Sequence, residues 1–123
     1  MPGLIPFTGG LQARIFLYNL AVDMRRSFDG LMAIVQSEFE QDVLQGDLFV
    51  FINKRKNRCR ILYWERSGFV LWLKRLEKDR FAWPRAGEHD GVITLEARQL
   101  NLLLDGYDIW RMRPHQRLYY DVA

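Results

Sequence analysis

Cysteine occurs once in this chain, at Cys59, and that scarcity excludes an intramolecular disulfide framework. Histidine is nearly as rare. His89 and His115 with Cys59 do not supply the ligand spacing of a zinc-type site, so no metal and no cofactor is expected. No apolar run approaches the roughly 20 residues that a membrane-spanning helix needs, and the stretch IFLYNLAV near the N-terminus is far too short. The opening MPGLIPFTGG has neither the charged start nor the long apolar middle of a secretory signal. These absences predict a cytoplasmic protein with no membrane partner.

The groups that carry catalysis are thin as well. Asp23 and Asp29 would stand about 120° from overlap on one helix and form no acidic cluster for phosphoryl transfer; a helix cap and a surface acid describe them better. No Ser or Cys sits in a nucleophile context, and the GG at 9–10 precedes a strand, where a phosphate cradle would precede a helix. No catalytic residue is assigned, and an enzyme is not expected.

What the chain does have is hydrophobicity and an uneven distribution of charge. Its 123 residues, 49% hydrophobic, suit one domain over 1–123, with an irregular N-terminus at about 1–11 and a basic, aromatic C-terminal tail at about 110–123. Residues 53–85 hold eleven Lys or Arg against Glu65, Glu77 and Asp79, a charge of +8, whereas the remainder holds seven basic and twelve acidic residues, −5. Such asymmetry points to one surface that faces an anion.

The apolar pattern predicts an α+β fold, an antiparallel β-meander of about four to five strands packed against two helices. ARIFLYNL reads as a short strand. From Asp23, the expected N-cap, Phe28, Leu31, Met32, Val35 and Phe39 form the stripe of an amphipathic helix. Gly30 inside that stripe predicts a close approach of a strand or another backbone. LFVFI (48–52) suits a central strand covered on both faces. CRILYW then alternates, with Cys59, Ile61 and Tyr63 on one face and Arg60, Leu62 and Trp64 on the other. The two runs are expected to pair antiparallel around an exposed turn at 53–58, with Cys59 buried and chemically inert. FVLWLKRL follows as a strand and RFAWP as a shorter one ending at Pro84. Residues 85–91 read as loop, Thr94 as the cap of a second helix, and Gly106 as its C-terminal stop.

NKRKNRCR, residues 53–60, places five Lys or Arg within eight residues. Polar turns and charged edge strands are ordinary, but Lys54, Arg55, Lys56, Arg58 and Arg60 at one end of a hairpin form a denser cluster than solubility requires. Trp64, Trp72 and Trp83 on neighbouring strands offer flat faces on which bases stack.

DMRRSFDGL (23–31), GDLFVFINKRKNRCRILYWERSGFVLWLKRLEKDRFAWP (46–84) and LLLDG (102–106) together resemble the small TnpB accessory proteins, second-reading-frame products of the bacterial insertion-sequence family numbered sixty-six. The likeness covers most of residues 18–110. Asp23, Met24, Arg25, Phe28, Asp29 and Gly30 match the family's helical signature. Arg26 replaces a more usual Lys, Arg60 stands where Lys is common, Glu65 where Asp is common, and Asp79 where Gly is common. The resemblance implies an accessory role in transposition beside an element-encoded transposase, with no established catalytic activity of its own. Within that role two acts are open. Arg25, Arg26, Lys54, Arg55, Lys56, Arg58 and Arg60 contact DNA phosphates, or the aromatic sheet docks onto the transposase as an adaptor. The oligomeric state is open.

Overall fold

The computed structural model describes residues 14–39, 46–85 and 91–111. Its elements are β1 (Ile15–Tyr18), α1 (Phe28–Ile34) running into a π-helical turn (Val35–Phe39), β2 (Leu48–Ile52), β3 (Arg58–Glu65), β4 (Gly68–Arg75), β5 (Val92–Leu95) and α2 (Ala97–Leu104). The strands form one five-stranded sheet in the order β4-β3-β2-β1-β5. The fold is α+β as expected, but the sheet is mixed. Only β2, β3 and β4 form an antiparallel meander; β1 pairs parallel with β2 and antiparallel with β5. The parallel pair is possible because the chain between β1 and β2 carries α1 and is long enough for the crossover that parallel neighbours need.

Each face of the sheet has its own core. Leu17, Val50, Ile52, Cys59 and Ile61 point to the side covered by Leu100, Leu103 and Leu104 of α2 and by Phe81 and Trp83. Phe16, Phe49, Phe51 and Leu62 point to the other side, against Leu31 and Val35. LFVFI is therefore buried at every position, as a run without alternation requires. Leu103 is fully buried, so truncating it to Ala costs about 2–5 kcal/mol. Asp47, the one buried charged residue among those described, accepts from the Arg14 N–H (3.1 Å) and guanidinium (2.9 Å), tying the starts of β1 and β2 together.

Several local expectations change. RFAWP is not a strand: Phe81 and Trp83 are buried as a cover over the α2 side, and the Trp83 indole donates to the Tyr18 carbonyl at 3.2 Å. Residues 92–95, expected as the lead into a helix, are β5, with Thr94 opposite Phe16. Glu96 caps α2 instead, in a reciprocal box with Gln99. Gly106 does end that helix, at φ +98°, with its N–H on Leu103 and that of Tyr107 on Leu102, a Schellman arrangement.

The first helix begins at Phe28, with Ser27 at its N-cap, and not at Asp23. Leu31 and Val35 are buried, whereas Phe28 at the helix start is 40% exposed; the side chain of Phe39 lies outside the described set. The Ser37 hydroxyl bonds back to the Ala33 carbonyl at 2.9 Å, a contact that bends helices and accompanies the π turn here. The N-terminal segment 1–11 and the tail beyond Arg111, like His89 and His115, lie outside the described residues.

Candidate nucleic-acid interface

The expected hairpin is present. Phe49, Val50, Phe51 and Ile52 pair antiparallel with Leu62, Ile61, Arg60 and Cys59, and Lys54, Arg55 and Lys56 form the exposed turn. Two asparagines organise it. The Asn53 Oδ1 accepts the N–H groups of Asn57 (3.0 Å) and Arg58 (2.9 Å), while its Nδ2 donates to Asn57 Oδ1 at 2.7 Å. The following chain buttresses the turn from outside, with the N–H of Leu76 on Asn57 (2.8 Å) and that of Phe81 on Lys56 (2.7 Å). Lys56 sits at φ +61°, in the left-handed region that favours Gly or Asn. The cations are thus presented on a backbone fixed from both sides.

Arg58 and Arg60 point to the α1 face of β3, and there they meet the residues that precede the helix. The Arg60 guanidinium donates to the carbonyls of Met24 (3.1 Å) and Arg26 (2.9 Å), so it is used as a strut, and its partial burial lowers its pKa. Val22 is held from the other side by its N–H on the Ile52 carbonyl at 2.8 Å. The result is an open groove of about 560 Å³. One wall is the segment 21–25; the other is Asn53, Lys54, Arg55 and Arg58.

Within that groove Asp23 grips Arg25, accepting its N–H at 2.9 Å and its guanidinium at 2.7 Å. Those bonds hold the carboxyl well below the usual range, at about 2. Asp23 therefore fixes a basic side chain and does not cap the helix. The stem of Arg26 lies across Gly30, where a Cβ would come within 3.3 Å of the Arg26 Cβ. Gly30 makes room for this arginine, and not for a strand. The side chains of Lys54, Arg55, Lys56 and Arg58 enter no ion pair among the described residues.

Of the seven basic residues expected to act together, Arg25, Lys54, Arg55 and Arg58 line the groove, Lys56 stands on the turn, Arg26 lies over the helix start and Arg60 braces the floor. Sequence reasoning missed Arg75, directly opposite Arg58 in the β3–β4 ladder and paired with Glu77 at 2.9 Å. It also missed Lys78 and Arg80, which with Arg55 border a second hollow of about 190 Å³. The charge excess over 53–85 was their only signal. The tryptophans do not join the cluster. Trp83 is buried, and Trp64 packs edge-on against Phe69 at 4.9 Å. It stands six residues along β3 from Arg58, about 20 Å at a strand's rise.

Cys59 is fully buried, and burial pushes its thiol pKa strongly up against a smaller opposing pull from Lys74. Among the described residues no cluster of His, Cys, Asp and Glu is arranged to hold a metal ion, and no helix is long and apolar enough to cross a membrane.

The family model described as IS66 Orf2 like protein matches residues 13–114, and so spans β1, the hairpin and α2 alike. The chain belongs to the IS66 Orf2-like family. It is accordingly a transposition-associated accessory protein. Among its relatives, the uncharacterized protein y4jC of Sinorhizobium fredii is 38% identical over 100 residues, covering 81% of this chain and 84% of the relative. A second uncharacterized protein of that organism, y4hO, is 34% identical over 102 residues, covering 83% and 86%. No solved structure matches the chain.

Proposed function

We propose that this IS66 Orf2-like protein assists transposition by contacting DNA phosphates through its basic hairpin. The observation that carries the reading is the cluster of Lys54, Arg55, Lys56 and Arg58, four cations without an internal ion pair among the described residues, on a turn fixed by Asn53 and by the 76–81 segment. Like charges this close repel one another, and a polyanion relieves the repulsion. Arg25 and Arg26 extend the same surface; Arg60 acts by positioning them. Contacts of this kind orient DNA without reading its sequence.

The test is a binding titration of the purified protein against the element's terminal repeats and a scrambled duplex at two salt concentrations. Engagement of about four phosphates gives a slope near −3.6 in log affinity against log salt. A slope near zero removes the reading.

One feature supports a second reading, an adaptor that docks on the transposase. β4 is an edge strand, and its apolar Leu73 is 56% exposed. Co-purification with the transposase that survives nuclease treatment and is lost in Leu73→Lys supports this alternative.

A further inference from the structure

The two edges of the sheet are built differently. β5, at one edge, has four residues; β4, at the other, has eight and pairs with β3 at every one of them, with no bulge. A long, regular, apolar edge strand is a template for another chain, and proteins commonly guard such edges with proline, charge or a bulge. β4 has none of these along Gly68–Leu73, which reads GFVLWL. Its two charges lie at the far end and are engaged within the molecule. The Lys74 ammonium donates to the Leu104 carbonyl at the end of α2 (2.9 Å), and Arg75 pairs with Glu77. The pairing register also tells which backbone groups face outward. Glu65 and Gly68 flank a two-residue turn, and the Leu76 N–H bonds to the Asn57 carbonyl at 2.8 Å, so Gly68, Val70, Trp72, Lys74 and Leu76 are the residues that bond to Asn57 and β3. The N–H and C=O groups of Phe69, Leu71 and Leu73 point away from β3, and no backbone partner meets them among the described residues.

We propose that β4 pairs antiparallel with β4 of a second copy of this chain, in a two-fold dimer centred on Leu71. Leu71 then stands opposite Leu71 of the other copy, Phe69 opposite Leu73, and Val70 opposite Trp72. The outward backbone groups of 69, 71 and 73 meet one another in this register and close a hydrogen-bonded ladder. Phe69 and Leu71 pack on the α1 side and Val70 and Trp72 on the α2 side, so apolar meets apolar on both faces, and the exposed Leu73 is covered. Charge permits the arrangement. Lys74 falls opposite Gly68 and Arg75 opposite Ser67, whereas parallel pairing in register would set each cation beside its own counterpart. The occupant that fits is a second copy, because one strand supplies both members of every pair. The basic turns, next to Arg58 at the Arg75 end of β4, then stand at opposite ends of one ten-stranded sheet, twice the five strands of each copy.

This pairing is independent of DNA contact but uses the same Leu73 as the adaptor alternative, so the experiment uses the full-length protein alone, freed of nucleic acid by nuclease. Sedimentation over a range of concentrations should show the mass rising from that of one 14.7 kDa chain to twice that value. Leu73→Pro removes an outward N–H that bonds to nothing within the molecule, and proline is tolerated on an edge strand. The variant should keep its circular dichroism and stay at single-chain mass. A second measurement does not depend on that variant folding. Opposed residues of a hydrogen-bonded antiparallel pair have Cα atoms about 5.5 Å apart, a span a disulfide bridges, so Leu71→Cys should crosslink two copies on mild oxidation. Phe69→Cys should not, because the two residues 69 stand four positions apart along the strands, about 14 Å. The native Cys59 is buried and takes no part. Single-chain mass at every concentration overturns the dimer and leaves β4 to a different protein. A dimer that persists in folded Leu73→Pro overturns it as well, and so does crosslinking as fast through position 69 as through 71.

Discussion

The guanidinium of Arg60, on β3, donates to the main-chain carbonyl of Arg26 at 2.9 Å, joining two basic segments 34 residues apart in sequence. That bond, with its companion to Met24, sets where Arg25 and Arg26 stand relative to the hairpin. Hydrogen bonds from a charged donor contribute about 1.5–3 kcal/mol, so Arg60→Ala should lower stability by that amount in urea denaturation, with Arg60→Lys recovering part. Arg60 itself should not contact phosphate. The salt slope of DNA binding by folded Arg60→Ala is therefore expected to stay unchanged, although affinity falls. A slope flatter by about 0.9 would make Arg60 a direct phosphate ligand.

Replacing Lys54, Arg55 and Lys56 together with Ala should flatten the salt slope by about two to three units, close to one per lost phosphate contact. These side chains are exposed and bond to nothing that holds the sheet, so the circular dichroism and melting point should change little. Unchanged affinity and slope in the triple variant would reduce the hairpin to a solvated turn.

Lys56 separates stability from function. At φ +61° an L-residue costs about 1–2 kcal/mol that glycine does not, partly offset by glycine's greater entropy loss on folding. Lys56→Gly should then stabilise the protein by about 0.5–1 kcal/mol while weakening DNA binding. The backbone bonds that Lys56 makes to Asn53 and Phe81 are kept in the variant. A stability gain without loss of affinity would show that the lysine charge is not used.

The buried thiol makes stability depend on alkaline pH. Cys59 has its pKa raised by burial, so the unfolded chain, with a thiol near 8.5, loses that proton first. Stability is fully present below about pH 8.5 and falls above it, by up to about 1.4 kcal/mol per pH unit. The phenols of Tyr18 and Tyr63, also raised chiefly by burial, deprotonate in the unfolded chain only near pH 10, which leaves about 8.5–10 as the thiol's window. Cys59→Ala should remove the slope there at a cost of about 1 kcal/mol or less. Thiol reagents should label native Cys59 only as fast as the protein unfolds.

Much of this architecture is written in short-range pattern. An unbroken apolar run and an alternating one, separated by a polar turn, sufficed for the β2–β3 hairpin, because a strand's side chains alternate and burial on both faces removes the alternation. The burial of Cys59 followed from the same pattern, and Gly106 marked the end of α2 by its conformational freedom. The concentration of charge was legible as composition alone.

What required the folded chain was the pairing of distant segments. β1 could be recognised as a strand, but its place between β2 and β5 depends on contacts among residues up to 80 positions apart, Ile15 with Leu95 among them. RFAWP has the residues of a strand, yet Phe81 and Trp83 gain more by covering the sheet than by extending it. Asp23 has the chemistry of a helix cap, and it instead clasps Arg25 because Arg60 pins the carbonyls of Met24 and Arg26 and the helix starts later, at Phe28. Sequence by itself determined four of the five strands, the buried faces of β2 and β3 and the amount of positive charge, since these depend on near neighbours. Tertiary structure decided which cations share a groove and which serve as struts, since a guanidinium's role depends on the carbonyl or carboxylate that the folded chain brings to it.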